Sequence, residues 1–361
     1  MTQANVLAQL GAQSGPTFRN RIINGAMVID QRNAGASVSS TDGTDIYVVD
    51  RFYIGNRSGT GVLTGQQTTV TSLAGFNSSL KVTTNTANAS LTGSQYVAIR
   101  QGIEGYNIAD LGWGTANAKT VTLSFWAQSS LTGTFGGALN NSAFNRCYPF
   151  SYSIPVANTW TLISITIAGD TTGTWASNNT AGIYLFFGLG AGTTVSGTAG
   201  SWSGNYYYSA TGATSVVGTS GATFYITGVQ LEVGSSATGF EYVNYQTSLA
   251  NCQRYYNKRM ANGVTTNPCL GSGSQTTTSS ADIYTAISPS MRTSPTVTFT
   301  NLIISDSITF DAAVSAISTY STSDAIYMGV TYTANGSQYR PIFLRGASSS
   351  TTAYLAFSAE L

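Results

Sequence analysis

The sequence predicts an all-β protein: an antiparallel β-sandwich with a short N-terminal arm and a second, smaller C-terminal β module. The first observation is composition, because 8% of the 361 residues are charged, whereas an average soluble domain has about 25%. The second is the abundance of Gly (39) and Tyr (21), which with Ser, Thr and Asn favours short strands joined by tight turns. The third is that no long run between the strand-like segments has helical periodicity, so the crossover helices of a parallel sheet are missing.

Residues 1–24 predict an arm that docks on another protein. Thr2 can cap a short helix with one apolar side, and Gly11 ends it. A helix this short is marginal alone, so it gains order from a partner that covers its apolar side. The residues that we assign to this attachment are Val6, Leu7, Leu10 and Phe18.

Residues 25–246 predict one sandwich, because strand-like alternation recurs along them. Residues 121–127 put four apolar side chains on one face and Trp126 on the other. Residues 160–167 and 183–189 repeat the alternation with Ile and Leu, and Gly-rich turns separate these runs. The same pattern in the last strand of the sandwich, 223–233, puts four side chains on one face: Tyr225, Val229, Leu231 and Val233.

A long segment rich in Gly, Ser and Thr, 190–221, carries most of the candidate binding residues. Rigid Tyr and Trp rings among Ser, Gly and Asn are typical of recognition loops, and flat rings stack on the C–H faces of sugars. The candidate glycan-binding residues are Trp202, Tyr206, Tyr207 and Tyr208, together with Trp126 of the central strand. The alternative for the loop residues is an ordered cover over the sandwich or a subunit interface. For Trp126 the alternative is packing under a loop or against a neighbouring subunit.

Residues 247–361 predict a separate β module, preceded by a helical turn around 249–256. New strand-like runs occupy 296–304, 325–333 and 353–357. Short strands rich in Ser and Thr have little core of their own, and three copies around an axis share one. We therefore expect this module to be the distal, trimer-forming end of the chain.

Charge and histidine content exclude several functional classes. The net charge is +1, so no basic surface is available to neutralise the phosphates of a nucleic acid. The chain has no histidine, which removes Ser/His/Asp and Cys/His nucleophiles and nearly all zinc chemistry. We therefore expect no metal and no other cofactor. No apolar run approaches the ~18 residues of a membrane span, so we expect no membrane insertion.

Cysteine usage indicates the compartment of synthesis. Cys147, Cys252 and Cys269 form no CxxC pair, and an odd number cannot close a disulfide framework. The first residues are polar and lack a basic-then-apolar secretion signal. We expect reduced, buried thiols in a protein made in a cytoplasm.

One pair of acidic residues raises the possibility of an enzyme. Glu104 and Asp110 lie close in sequence, and two carboxylates about 5–9.5 Å apart are the equipment of a glycosidase. The 14 acidic residues give many such spacings by chance. Turn-capping by Asp110 is the preferred interpretation, and we expect no enzymatic activity.

Four segments, taken in order, resemble those of bacteriophage tail-fibre proteins. They are Asn20 to Gly25 with Asp30 to Asn33, Val49 to Phe52, Thr122 to Trp126, and Tyr225 to Glu232 with Cys252 to Tyr256. Together they cover about residues 20–256, and four ordered matches make the resemblance specific. The same region resembles the jelly-roll sandwich of carbohydrate-binding modules, in which a strand of the Val-Gln-Leu-Glu type closes the fold.

The resemblance implies a structural virion protein with a jelly-roll-type sandwich, assembled as a homotrimer. Its arm is expected to bind another virion protein, which is a tail adaptor, the nozzle or the capsid, and its distal end is expected to face the host. The expected function is recognition of a host cell-surface polysaccharide by a tail fibre on the virion. The same motifs fit a capsid-decorating head fibre, and a glycan-cleaving tail depolymerase is the enzymatic alternative.

Overall fold

The computed structural model describes residues 18–261, 268–308, 310–333, 336–348 and 350–361. The chain divides into two compact units, Met1–Val243 and Asn244–Leu361. No helix within the described ranges is long and apolar enough to cross a membrane. The predicted attachment residues Val6, Leu7 and Leu10 lie outside the described part of the chain, and Phe18 is exposed.

The first unit is an antiparallel sandwich of two six-stranded sheets. Its strands are β1 (Val38–Ser40), β2 (Asp45–Val49), β3 (Phe52–Arg57), β4 (Val62–Thr69), β5 (Ser78–Thr86), β6 (Tyr96–Glu104), β7 (Val121–Ser129), β8 (Gly133–Asn141), β9 (Cys147–Ile154), β10 (Thr161–Ile167), β11 (Ala181–Ala191), β12 (Ser196–Gly197), β13 (Ser209–Ala210) and β14 (Thr223–Val233). Two short 3-10 helices, Gly105–Asn107 and Ala109–Leu111, follow β6. The first sheet has the order β1-β4-β5-β14-β7-β10 and the second β2-β3-β6-β11-β8-β9, while β12 and β13 form a separate parallel pair. The predicted all-β, jelly-roll-type fold class is confirmed.

Side-chain alternation explains why the strands form two layers. β7 lies in the first sheet and β11 in the second, and each turns one apolar face inward. The fully buried residues of these faces are Val121, Leu123, Phe125 and Ala127 on β7, and Ile183, Leu185, Phe187 and Leu189 on β11. Burying each large apolar side chain stabilises the fold by about 1.5–3 kcal/mol, so the two inner faces form one core.

The predicted face of β14 is right for Val229 and Leu231 and wrong for Tyr225 and Val233. The buried apolar side chains at its centre are those of Phe224, Ile226, Val229 and Leu231, whereas Tyr225 is only half-buried and Val233 is exposed. A β-bulge lies between Thr227 and Gln230 where β14 pairs with β7. Gly228 in the bulge has φ +61°, a conformation that glycine adopts without steric cost. The extra residue changes which side chains face the core, and strict alternation cannot anticipate it.

The segment before β1 is joined to the sandwich, although the sequence assigns residues up to 24 to the arm. The Asn20 carboxamide accepts a hydrogen bond from the Leu231 N–H at 3.1 Å and donates to the Val229 carbonyl at 3.0 Å. Asn24 donates to the carbonyls of Ile29 and Asp50, both at 2.9 Å. These amides satisfy backbone groups of the sandwich edge, so this part of the arm is built into the first unit.

The second unit contains one helix and two sheets. Its elements are α1 (Tyr245–Gln253), β15 (Tyr256–Met260), β16 (Cys269–Gln275), β17 (Ser280–Ala286), β18 (Thr296–Thr300), β19 (Leu302–Ser305), β20 (Asp311–Ser321), β21 (Ala325–Tyr332), β22 (Pro341–Gly346) and β23 (Tyr354–Ser358). Six strands close into a barrel in the order β16-β17-β21-β20-β19-β22, and β15-β23-β18 form a three-stranded sheet. The unit has its own apolar core, which includes Ile283, Met328 and Leu344.

The three cysteines are in the reduced thiol form, but they are not all buried. Cys147 and Cys252 are buried as expected, whereas Cys269 is exposed at the start of β16, where Leu270 takes the buried position. Burial raises the pKa of Cys147 to about 12. This thiol therefore stays protonated and unreactive at neutral pH.

Candidate functional site

The outer face of the second sheet carries a band of aromatic side chains. Alternate residues of β3, β6 and β11 point away from the core, because their neighbours fill it. We call this band, with the arginine at its centre, the aromatic face: Tyr47, Tyr53, Tyr96, Arg100, Phe144, Tyr184, Phe186, Tyr206 and Tyr208. Neighbouring ring centroids in the band are 3.7 to 6.5 Å apart, and Arg100 bridges the rings of β3 and β11.

Arg100 lies at the centre of the aromatic face. Its guanidinium carbon is 4.6 Å from the centre of the Tyr53 ring, 4.7 Å from that of Tyr184 and 5.2 Å from that of Phe186. Each cation–π contact of this kind contributes about 0.5–2 kcal/mol. Among the residues that the structure describes, no carboxylate pairs with Arg100, and its buried Nε has no hydrogen-bond partner. The guanidinium is therefore held by rings and keeps N–H donors for a ligand.

A second cation extends the aromatic face toward β2. The guanidinium carbon of Arg32 lies 4.2 Å from the centre of the Tyr47 ring, and that ring is 4.8 Å from the Tyr53 ring. Burial raises the pKa of Tyr53 well above its ordinary value, so its phenol is neutral at physiological pH. This end of the face combines flat rings with guanidinium groups.

The long loop 190–221 packs on the other end of the same face. Gly136 and Gly188 permit this approach because neither has a Cβ. A Cβ added at Gly136 would lie 2.5 Å from a backbone nitrogen of β13, and one added at Gly188 would lie 2.6 Å from a serine Oγ of β13. Tyr208 stacks on Tyr96 with ring centroids 3.7 Å apart and 19° between the planes. Burial raises the pKa of Tyr208 well above its ordinary value. Tyr208 therefore has the position of a loop anchor.

The predicted tyrosine triplet is divided by the structure. Tyr206 is 43% exposed and stands edge-on to Phe144 with ring centroids 6.5 Å apart. Tyr207 points elsewhere: its ring packs over Gly197, and its hydroxyl accepts a hydrogen bond from Asn205 at 3.0 Å. Tyr206 and Tyr208 thus belong to the aromatic face, and Tyr207 does not.

Trp202 lies apart from the tyrosines, in a cluster of three tryptophans. Its ring centroid is 5.3 Å from that of Trp113 and 5.5 Å from that of Trp175, both in edge-to-face geometry. Its indole N–H donates to the Ala168 carbonyl at 2.8 Å. The half-buried ring has its edge and its N–H engaged, as the ordered-cover alternative expects, and its contact with a glycan stays a prediction.

Trp126 lies on the outer face of the first sheet, on the side of β7 opposite the core. It is half-buried beside Gly228, where an added Cβ would lie 2.7 Å from the Phe76 ring and 3.1 Å from the Trp126 ring. Phe76 in turn packs against Phe240, with centroids 5.1 Å apart. This crowded neighbourhood fits the packing alternative for Trp126, and its glycan role also stays a prediction.

The two acidic residues of the enzymatic alternative have different surroundings. Glu104 is buried at the end of β6, whereas the Asp110 carboxylate is half-exposed and accepts from the Arg21 guanidinium at 2.8 Å. The Lys119 ammonium is 3.8 Å from the same carboxylate. The Asp110 carboxylate therefore pairs with two cations, and its turn-capping role stays a prediction.

One part of the aromatic face was not predicted. It consists of Tyr47, the buried Tyr53, Arg100 and Tyr184. Tyr184 gave a local signal, because alternation along 183–189 puts it on the face opposite the core. Tyr53 and Arg100 become neighbours only through the pairing of β3 with β6, which no spacing in the sequence predicts.

Comparison with known proteins leaves the family open. No protein-family model matches this chain, and no curated protein matches it significantly. Solved structures give weak likenesses. One is the enzymatically active domain of tailspike protein 4 of bacteriophage CBA120, at 12% identity and a TM-score of 0.30 over 60% of this chain and 21% of that one. This chain therefore spans about a fifth of the tailspike domain.

Two further likenesses are to carbohydrate-binding modules. A CBM4 structure matches at 14% identity and a TM-score of 0.30, over 58% of this chain and 98% of that one. A family 11 module from Clostridium thermocellum, solved with a β-1,3-1,4-mixed-linked tetrasaccharide, matches at 10% identity and a TM-score of 0.27, over 55% of this chain and 96% of that one. These TM-scores lie below 0.5, and nothing about function is drawn from them.

Proposed function

We propose that this protein is a structural protein of a bacteriophage particle, a tail fibre that recognises a glycan on the host surface. The observation that carries the proposal is the aromatic face, where the half-buried ring of Tyr184 and the buried rings of Tyr53 and Phe186 hold the guanidinium of Arg100. Tyr47 and Tyr206 add further partly open rings to the same face. Such rings stack on the C–H faces of sugars, while guanidinium and phenol groups pair with sugar hydroxyls. The sheet orders these groups before a ligand arrives, which lowers the entropic cost of binding.

The virion role is supported by the resemblance to tail-fibre proteins. The separate segments of this chain that carry the resemblance also contact one another. Asn20 of the first segment binds the backbone of Leu231 in the last, and Asn24 binds the backbone of Asp50 in the second. In this proposal the fibre is a homotrimer on the virion surface, and the part of the arm that precedes Asn20 attaches it to a tail adaptor, the nozzle or the capsid. A capsid-decorating head fibre fits the same segments, and electron microscopy of labelled particles distinguishes the two.

We propose binding without catalysis. The depolymerase alternative needs the carboxylates of Glu104 and Asp110. Glu104 is buried, and Asp110 is held by Arg21, so neither is placed as an acid or base in an open cleft. Incubation of the protein with purified host envelope polysaccharide should therefore release no reducing sugar. Sustained release that is lost in a Glu104→Gln, Asp110→Asn double variant would overturn this part of the proposal.

A binding measurement on the full chain tests the aromatic face. Tyr184→Ala and Arg100→Met should each weaken binding to host envelope polysaccharide by about fivefold to twentyfold, because each removes a stacking or charge-assisted contact. Tyr225→Ala is the matched control. Tyr225 is another half-buried tyrosine beside a cation, with the Lys81 nitrogen 5.5 Å from the ring centre, but it lies on the outer face of the first sheet. Binding that is equal in all three variants would exclude the aromatic face as the site.

Attachment is tested separately from recognition. Deleting residues 2–15 should leave a protein that still binds host cells but no longer joins the particle. A deletion variant that is incorporated normally would remove the arm from the proposal.

A further inference from the structure

A row of three tyrosines lies on the barrel of the second unit. Tyr284 on β17, Tyr327 on β21 and Tyr320 on β20 occupy directly paired positions on adjacent strands. The centroids of the first two rings are 5.0 Å apart, and those of the last two are 5.5 Å apart. Tyr284 is 60% exposed and Tyr320 is 71% exposed. We call these three residues the tyrosine row.

The tyrosine row does not belong to the core of the barrel. The neighbouring residues Ile283, Ile326 and Met328 are buried inside it, so alternation turns the three rings to the outer wall. Single exposed apolar side chains are ordinary on a protein surface, but a contiguous patch commonly marks a contact site. Three aromatic rings in register on three strands form such a patch.

A groove opens along one side of the tyrosine row. Its volume is about 400 Å³, and the three rings line it together with Thr285, Thr322 and small apolar side chains. The Arg259 guanidinium donates to the Thr285 hydroxyl at 2.7 Å and thereby orients it. The groove combines flat apolar walls with hydroxyl groups, which are the two kinds of contact that sugars need.

A polar row lies on the other side of the rings, two positions further along each strand. It consists of Asp282 on β17, Gly329 on β21 and Ser318 on β20. Gly329 has no side chain, and the Ser318 hydroxyl lies over it and donates to the Gly329 carbonyl at 3.2 Å. A side-chain hydrogen bond with Asp282 raises the pKa of Tyr327 to about 12, so the phenol stays neutral and acts as the donor. A carboxylate has about four lone-pair sites, which leaves Asp282 able to accept from a ligand as well.

We propose that the tyrosine row binds a neutral hexose oligosaccharide, whose sugar rings stack across the three tyrosines while its hydroxyls pair with Asp282, Ser318, Thr285 and Thr322. The row crosses two strand spacings of about 4.7–4.9 Å each, so it accommodates two or three sugar rings. The carboxylate of Asp282 repels acidic sugars, which sets the preference for neutral ones. The inference rests on the proposed function only for the class of ligand, which is a glycan. The site itself is separate, since it lies in a different unit from the aromatic face.

The size of the tyrosine row favours a small ligand over a second copy of the chain. A fully covered aromatic side chain buries about 150–250 Å², and these rings are already partly covered, so the three together offer less than about 750 Å². A stable interface between proteins takes about 800 Å² from each partner. An oligosaccharide can be held by the row and its groove alone.

Titration of the full chain with cellohexaose and with maltohexaose tests the proposal, and a galacturonate oligomer serves as the acidic comparison. At least one neutral hexasaccharide should bind, and Tyr320→Ala and Tyr327→Ala should each weaken it about fivefold to tenfold. Tyr327→Phe keeps the ring and should retain most of the affinity. Tyr339→Ala is the control, because Tyr339 is 78% exposed in the same unit but lies outside the row.

Three results would overturn the proposal. The first is that neither neutral hexasaccharide binds at millimolar concentration. The second is that binding survives the Tyr320→Ala, Tyr327→Ala double variant, or is lost only in Tyr184→Ala, which would assign it to the aromatic face. The third is that the row variants lower the oligomeric state in sedimentation velocity, which would make the row an interface between copies. If the protein binds a neutral hexasaccharide through the row but the aromatic face binds no host polysaccharide, only the proposed function of that face is contradicted.

Discussion

Arg100 and Tyr53 are paired across β6 and β3, and the guanidinium carbon of the arginine lies 4.6 Å from the centre of the tyrosine ring. Tyr184 holds the same cation at 4.7 Å from the next strand. Rings, and not a carboxylate, thus fix the position of this charge. A cation held in this way is ordered but not neutralised, which suits it to pair with a ligand.

The contact between Arg100 and Tyr53 should be measurable as a coupling energy. In a double-mutant cycle of Arg100→Met and Tyr53→Leu, we expect about 0.5–2 kcal/mol of coupling in the free energy of unfolding. Urea unfolding followed by tryptophan fluorescence measures it in the first unit alone, because all five tryptophans lie before residue 244. A coupling energy indistinguishable from zero would mean that the two groups do not interact.

The approach of the long loop to the second sheet depends on Gly136. Gly136→Ala should lower the free energy of unfolding by about 1–3 kcal/mol, because its Cβ would lie 2.5 Å from the backbone of β13. It should also weaken polysaccharide binding, since the loop carries Tyr206 and Tyr208. Gly204→Ala is the control in the same loop, because nothing lies within 4 Å of its added Cβ. Equal stability of the two variants would show that the loop yields without cost.

Asn20 should be needed for the edge of the sandwich. Asn20→Ala leaves the N–H groups of Ile22 and Leu231 without their acceptor, and a buried donor without a partner costs about 1–3 kcal/mol. Asn205→Ala, which removes an exposed amide, should change the free energy of unfolding by less than about 0.5 kcal/mol. Both values can be obtained from the same tryptophan-detected transition. An Asn20→Ala variant as stable as the control would contradict a structural role for the first tail-fibre-like segment.

Stability should be nearly constant between about pH 5 and pH 8, because the chain has no histidine. Below this range Asp170 titrates: burial alone would raise the pKa of its carboxyl, but hydrogen bonds from Arg146 and Thr172 hold it below the ordinary value. A carboxyl with a lowered pKa stabilises the fold above its ordinary pKa, and this stabilisation disappears as pH falls through the lowered value. Above about pH 9, Cys147 and then the buried Tyr53 and Tyr208 favour unfolding, because burial raises their pKa.

Thermal unfolding from pH 3 to pH 10 checks this profile. Asp170→Asn should lower the midpoint at pH 7, and the difference from the unmodified protein should shrink toward pH 3. A midpoint that moves by more than a few degrees between pH 5 and pH 8 would contradict the expected plateau.

Part of the candidate site was predictable, and the rest was not. Tyr206 and Tyr208 were identified because aromatic residues among Ser, Gly and Asn are visible in a short window of sequence. The bulge at Gly228 escaped the same reasoning, because one inserted residue reverses the alternation of everything after it. Trp202 looked like a neighbour of the tyrosines, but its side chain turns toward Trp113 and Trp175.

By itself the sequence determined the all-β class, the inner faces of β7 and β11, and the absence of histidine chemistry. These follow from composition and from a two-residue period, which are local properties of the chain. Only the tertiary structure decided that Arg100 meets Tyr53 and that Tyr284, Tyr327 and Tyr320 form one row. The physical reason is that a ligand-binding surface on a sheet is assembled across strands, and strand order and register depend on contacts between residues that are far apart in the sequence.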